Sequence, residues 1–211
     1  MPPIIDRTPT KRLWCCARLP LLVVPLAFGL AACAEPPAPR DTFYRLETAP
    51  AAHRFARPPL PGILEVDRVE AEGVLGDRAI AYLSAPGAVR RYSYEFWADP
   101  PGRMVQDALV RALRAANAAG TVVTPDLRLV PTWIVRARLL RFEQEPAAGR
   151  VAVALRVAVL GADDSHLVMQ RDYAVEAPAT GTSPAAAAAA MGRAMSEVLS
   201  RMVADLGRPS R

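Results

Sequence analysis

The chain carries few residues that could do chemistry, and their spacing narrows the choice further. Its two histidines, His53 and His166, form no His-x-x-x-His pair and stand beside no cysteine, so neither has a metal-ligand spacing. Asp163-Asp164-Ser165-His166 places three residue types of nucleophilic catalysis side by side. A triad is defined by geometry in space rather than by adjacency, and Gly161 to Ser165 has the composition of an ordinary turn between strands. No Gly-x-Ser-x-Gly elbow, phosphate-cradling glycine loop or dinucleotide fingerprint occurs. Neither a catalytic group, a metal nor a cofactor is expected. The remaining reactive group is the thiol of Cys33, one of three cysteines.

Cys33 directly follows Leu30-Ala31-Ala32. Upstream lie Arg7, Lys11, Arg12 and Arg18, then twelve mostly apolar residues from Leu19 to Leu30. Basic residues, a short apolar run and small residues, in that order, make a secretory signal. The run falls short of the roughly 20 residues of a spanning helix, and Pro20 and Pro25 interrupt it. A cysteine at the cleavage point resembles the bacterial lipobox, in which the thiol takes a diacylglyceryl group before cleavage and an N-acyl group afterwards. Residues 1–32 would then be removed and Cys33 would head the mature chain. Cys15 and Cys16 leave with the signal, so no internal disulfide can close, and acylation takes the lone thiol out of an oxidising compartment. Two or three acyl chains anchor a protein almost permanently, at about 0.8 kcal/mol per buried methylene.

Loss of residues 1–32 takes four of the 26 basic and one of the 21 acidic residues, leaving 22 against 20. Such a near-balance gives no reason to expect a nucleic-acid partner. Residues 33–41 read as the lipidated N-terminus and a Pro-rich tether, whose eight residues from Ala34 to Asp41 span about 25 Å at about 3.1 Å each. Residues 42–207 are expected to form a single domain, with 208–211 frayed.

The elements that must position any site follow from periodicity. Strands are expected at Thr42–Leu46, Ile63–Val69, Arg78–Leu83 and Val89–Trp97, with a turn at Ala85-Pro86-Gly87. Asp99-Pro100-Pro101 reads as an N-cap and a proline first turn, followed by Met104, Val105, Ala108, Leu109, Ala112 and Leu113 at helical spacing, ending within 117–120. Trp133–Phe142, Val151–Leu160 and Leu167–Val175 form a second strand block, and about Pro184 to Leu206 a second helix. The expected fold is α+β: a largely antiparallel sheet with two helices on one face, in two strand-block-then-helix halves.

Arg136, Arg138 and Arg141 crowd one strand, with Arg156 on the next. They suit a headgroup- or partner-docking patch, or the solvated face of a one-sided sheet whose charge Glu143 and Glu145 offset. Tyr92, Tyr94 and Trp97 likewise suit either cross-strand packing or a binding face.

Three runs carry a family resemblance. Phe43-Tyr44-Arg45-Leu46 follows shortly after the cysteine. Leu75-Gly76-Asp77-Arg78-Ala79-Ile80-Ala81-Tyr82 comes next, and Tyr92-Ser93-Tyr94-Glu95-Phe96-Trp97-Ala98-Asp99-Pro100 then leads into the helix. Together they resemble the PqiC-type auxiliary lipoproteins of ABC transport systems, with Tyr44, Leu46, Asp77, Arg78, Trp97 and Pro100 as the motif positions. The family often has Tyr-Leu-Asp-Arg-Pro where this chain has Val74-Leu75-Gly76-Asp77-Arg78-Ala79.

The resemblance implies a non-catalytic part of an MCE-type system that moves phospholipids or related lipids between the inner and outer membranes. An MCE-domain subunit would be its partner, and the lipid on Cys33 would hold it at the periplasmic face of the outer membrane. Ala34 fits that placement, because by the usual sorting rule an Asp there retains a lipoprotein at the inner membrane. A homo-oligomer is left open. The alternatives are an outer-membrane assembly or structural lipoprotein, of the LPS-export or secretion-pilot type, and an envelope hydrolase acting through Ser165 and His166.

Overall fold

The computed structural model describes residues 39–163 and 166–208. Leu30, Ala31, Ala32 and Cys33, and Asp164 and Ser165 of the acidic turn, lie outside the described residues. The folded unit begins at Arg40. In chain order it contains β1 (Thr42–Tyr44), β2 (Leu60–Val66), β3 (Glu70–Ala71), β4 (Ala79–Ala85), β5 (Ala88–Trp97), α1 (Pro101–Ala115), β6 (Ala119–Val123), β7 (Trp133–Glu145), β8 (Arg150–Gly161), β9 (Leu167–Pro178) and α2 (Pro184–Leu206).

The class is α+β, but the nine-stranded sheet is mixed rather than largely antiparallel. The β4–β5, β7–β8 and β8–β9 pairs are antiparallel. By contrast, β1–β5, β2–β6, β2–β7, β3–β7 and β4–β7 are parallel. The cause is β7, whose one edge pairs with β8 along its length. Its other edge takes β2 at Trp133–Val135, β3 at Arg138–Leu139 and β4 at Glu143–Gln144 in succession. Alternation in the sequence reports which face of a strand is buried and is silent on its neighbour's direction. The two expected halves therefore share one sheet, with first-half strands completing the edge of a second-half strand. Sequence patterning also passed over β6, a short segment that contains Gly120 and follows directly on the helix end.

Val151, Val153, Leu155, Val157 and Val159 of β8 are all buried. They belong to one core with Met191, Met195, Val198, Leu199 and Met202 of α2, which packs on β8 and β9. Each such side chain contributes about 1.5–3 kcal/mol on burial, so this layer holds much of the domain's stability. α1 packs on β2 and β6 and touches α2.

A bulge in β7 decides which residues share a face. The β7–β8 register slips between Leu139 and Arg141, so the buried set changes from Val135, Ala137 and Leu139 to Phe142 and Gln144. Leu140 is the extra residue, and Arg141 thereby stays on the outer face with Arg136 and Arg138.

Helix α1 differs from expectation at its start. Pro100, not Asp99, holds the N-cap position, without a side-chain cap bond, and its carbonyl accepts from the amides of Arg103 (2.9 Å) and Met104 (3.2 Å). At its end Asn117 takes a left-handed conformation, φ 53°. The Ala118 amide donates to Leu113 O (3.0 Å) and the Asn117 amide to Arg114 O (3.1 Å), a Schellman closure with asparagine in the glycine position. Helix α2 is capped by Ser183, whose hydroxyl accepts from the Ala186 amide at 3.2 Å.

Candidate functional site

Of the motif residues, Tyr44, Asp77, Arg78 and Trp97 meet around one joint, which ties the first folded residues to the sheet. Tyr44 is the register partner of Trp97 in the β1–β5 pair, and the Ala98 amide donates to Tyr44 O at 2.7 Å. The Tyr44 hydroxyl donates to Glu95 Oε2 at 2.8 Å. Burial and then this carboxylate push the phenol up to about 12. Arg78 brackets the end of β5: Nε donates to Trp97 O (3.2 Å) and an Nη to Ala98 O (2.8 Å). Its guanidinium also stands 5.4 Å from the centre of the Phe43 ring.

Asp77 pairs with Arg91 and accepts from the Ala79 amide. Desolvation pushes its carboxyl up, but hydrogen bonds from the Ala79 and Arg78 amides and from Arg91 together outweigh this and leave it below its ordinary value. Trp97 is buried against Phe142, with ring centres 5.0 Å apart. Leu46 is buried in the same core, and Pro100 turns the chain from β5 into α1.

The joint continues as a strap. Residues 45–49 cross α2 where Gly192 has no side chain: a Cβ there would stand 2.3 Å from Glu47 O. The Ala49 amide donates to Ser196 Oγ at 2.9 Å, and that hydroxyl donates to Gly192 O at 2.7 Å. A groove of about 580 Å³ runs alongside, lined by Phe43, Tyr44 and Arg45 on one side and by Ala188, Ala189 and Arg193 on the other. The joint and strap position backbone; they bring together no nucleophile and base.

The four arginines of the expected patch do share the outer face, but each is matched by a carboxylate. Arg136 faces Asp67 (3.9 Å), and Arg138 faces Glu70 (3.5 Å) and Glu72. Arg156 makes two 2.7 Å hydrogen bonds to Asp172. Arg141 joins Glu143, Glu145 and Glu176, with Arg150 completing the cluster. Hydrogen bonding from Arg150, against desolvation and aided by Arg141, holds the Glu145 carboxyl below its ordinary value. The face is therefore a charge-compensated lattice and not a cationic patch.

Tyr92 packs on Tyr82 with ring centres 4.5 Å apart and bonds Gln144 at 2.9 Å, whereas Tyr94 is exposed. Among the described residues no group of His, Cys, Asp or Glu could hold a metal, and no helix is long and apolar enough to cross a membrane. Sequence reasoning did not single out Phe43, Glu95, Gly192 or Ser196. Phe43 and Glu95 sat inside the quoted runs, while the strap contact had no local signal because its partners lie 147 positions apart.

Fold and joint together define a class: an α+β module strapped to its own N-terminal segment, with no visible catalytic constellation among the described residues. The family model described as "ABC-type transport auxiliary lipoprotein component" matches residues 44–203, and the chain belongs to that family. In solved structures it is similar to protein XCC0632 from Xanthomonas campestris, of family DUF330, with 24% identity and a TM-score of 0.68 over 78% of this chain and 94% of that one. It is also similar to an uncharacterised protein, with 13% identity and a TM-score of 0.65 over 80% of this chain and 100% of that one. No curated protein matches.

Proposed function

We propose that this protein is a non-catalytic, lipid-anchored periplasmic component of an MCE-type ABC transport system. In this reading it docks the conduit at the outer membrane while phospholipids or related lipids pass between the membranes. The supporting observation is the joint. The family match opens at residue 44, where Tyr44 pairs with Trp97, whose carbonyl accepts from Arg78, a few residues after Cys33 and the Pro-rich stretch that follows it. A domain whose first strand is fixed to sheet and helix passes the hold of a lipid on Cys33 to the whole fold, and tethering raises the local concentration of a docking surface at its partner.

Two measurements test this. Cys33→Ser should abolish acylation and leave an unprocessed precursor, read by mass spectrometry of the membrane fraction; normal maturation of that variant would refute the anchor. The full-length, tagged wild type, solubilised in mild detergent, should retain the MCE-domain subunit, and its absence from the purified material would refute the partner.

A further inference from the structure

The outer face of the sheet is not uniform. Beyond the ion-pair lattice, at the end where β7 begins, Ile134 pairs with Leu160 and Leu160 with Leu167, a cross-strand row of three apolar residues. Leu167 is 50% exposed. Beside this row runs the connection that carries the chain from β6 over to β7. It is fixed by the Thr132 amide donating to Ile63 O (2.8 Å) and the Ala162 amide to Thr132 O (3.0 Å). That connection presents Leu127 at 55%, Leu129 at 46% and Val130 at 84% exposure. Such a run is held out by Arg128 in a left-handed turn, φ 52°. Apolar residues gathered in one place and rimmed by polar ones mark an interaction surface, unlike apolar residues scattered singly.

We infer that the patch formed by Leu127, Leu129, Val130 and the Ile134–Leu160–Leu167 row is the surface that receives an uncharged, apolar segment of the MCE-domain subunit. The inference takes the partner from the proposed function, on which it rests, and two observations argue for an uncharged protein segment at this place. The first is where the chain outside the folded unit leaves it. β4 meets β7 at Glu143, and β1 joins through β5 at that end. From Ile134 to Glu143 is about 26 Å at 3.3 Å per residue once the bulged position is discounted. Because β5 is antiparallel to β4 and β1 is parallel to β5, residues before Thr42 lead further from the patch still. The patch thus lies at the opposite end of the sheet from Thr42, near which the folded unit begins, and this favours a protein partner over the anchoring bilayer. The second observation is charge. The neighbouring Arg136, Arg138 and Arg156 are interleaved with Asp67, Glu70, Glu72 and Asp172, so the rim mixes both signs and offers no strong field of one sign to a polyanionic or polycationic partner.

The test uses the full-length, lipidated chain. Leu129→Asp/Val130→Asp should reduce recovery of the MCE-domain subunit about tenfold or more, as loss of central apolar anchors does. Val89→Asp, at the other end of the sheet, should leave recovery at the wild-type level. If the double variant melts far below wild type, a photo-crosslinking residue at position 130 replaces it and should give an adduct with the same subunit. Wild-type recovery from the double variant, or a crosslink only to lipid or to a second copy of this chain, overturns the docking surface and leaves the proposed function standing. Failure of the wild type itself to retain the subunit overturns the proposed function and this inference with it.

Discussion

Substituting Gly192 with alanine sets two known effects against each other, and the strap decides which wins. A helix interior gains about 0.8–1 kcal/mol from Gly→Ala, so on propensity alone α2 becomes more stable. The new Cβ, however, would lie 2.3 Å from Glu47 O, at least 0.7 Å inside the 3.0 Å that such contacts essentially never breach. Neither side can yield cheaply, since the oxygen is backbone and the Cβ is fixed to a helix packed on the core. Overpacking of this kind costs about 1–3 kcal/mol, and displacing the strap also loosens the Ala49–Ser196 hydrogen bond, which contributes about 1 kcal/mol. The expected balance is a net loss of about 1–3 kcal/mol, or a Tm lower by roughly 2–12 °C for a domain of this size. Thermal melting gives the magnitude, and hydrogen exchange gives the location: protection should fall at the Ala49 amide before it falls in β8. A raised Tm with unchanged protection at Ala49 would refute the reasoning, because helix propensity would then have acted alone.

Two titrations follow from the same geometry. Tyr44 is pushed up to about 12 from its ordinary 10.0, so between those values the unfolded chain has lost a proton that the folded chain retains. Its contribution to stability is complete below pH 10 and declines as pH rises toward 12; Tyr44→Phe should flatten that alkaline decline in urea-midpoint measurements, and an unaltered slope would count against the Glu95 contact. Glu145 is shifted the other way, below its ordinary 4.5. Its contribution is present above that value and lost as pH falls through the lowered one, so Glu145→Gln should weaken the domain at neutral pH and shrink the acid-limb slope. A variant with the wild-type acid limb would show the Arg141–Arg150 cluster to be energetically idle.

Element type and approximate extent were legible wherever burial imposes a period. The alternation of β8, the stripes of both helices and the Pro-Gly turn before β5 are each set by residues within a few positions of one another. What could not be read was fixed by partners distant in sequence. β7 gathers β2, β3 and β4 along one edge, and nothing in a strand's own residues records whether its neighbour runs with it or against it. The bulge at Leu140 is similar: alternation read straight through β7 puts Arg141 on the wrong face, and only the register against β8 restores it. The arginines were legible as a cluster that Glu143 and Glu145 offset, but the carboxylates that match the rest, Asp67, Glu70, Glu72, Asp172 and Glu176, come from other segments and could not be assigned. Short or glycine-containing pieces such as β6 carry too little pattern to announce themselves.

The motif residues gain a physical meaning once a pull along the tether is considered. A lipid on Cys33 would load the fold through Arg40 and β1, so the β1–β5 pairing is the first contact to bear it. With only three residues, β1 cannot carry that load on pairing alone. Tyr44 adds a side-chain bond to the same strand it pairs with, Arg78 clamps the carbonyls at that strand's end and covers Phe43, and the chain beyond is strapped over Gly192. Trp97, buried against Phe142 of β7, then joins the clamp to the central strand of the sheet, whose other end carries the apolar patch. Weakening the joint should therefore spare the patch's own surface while loosening its tie to the anchor, a separation that distinguishes a mooring from a binding site.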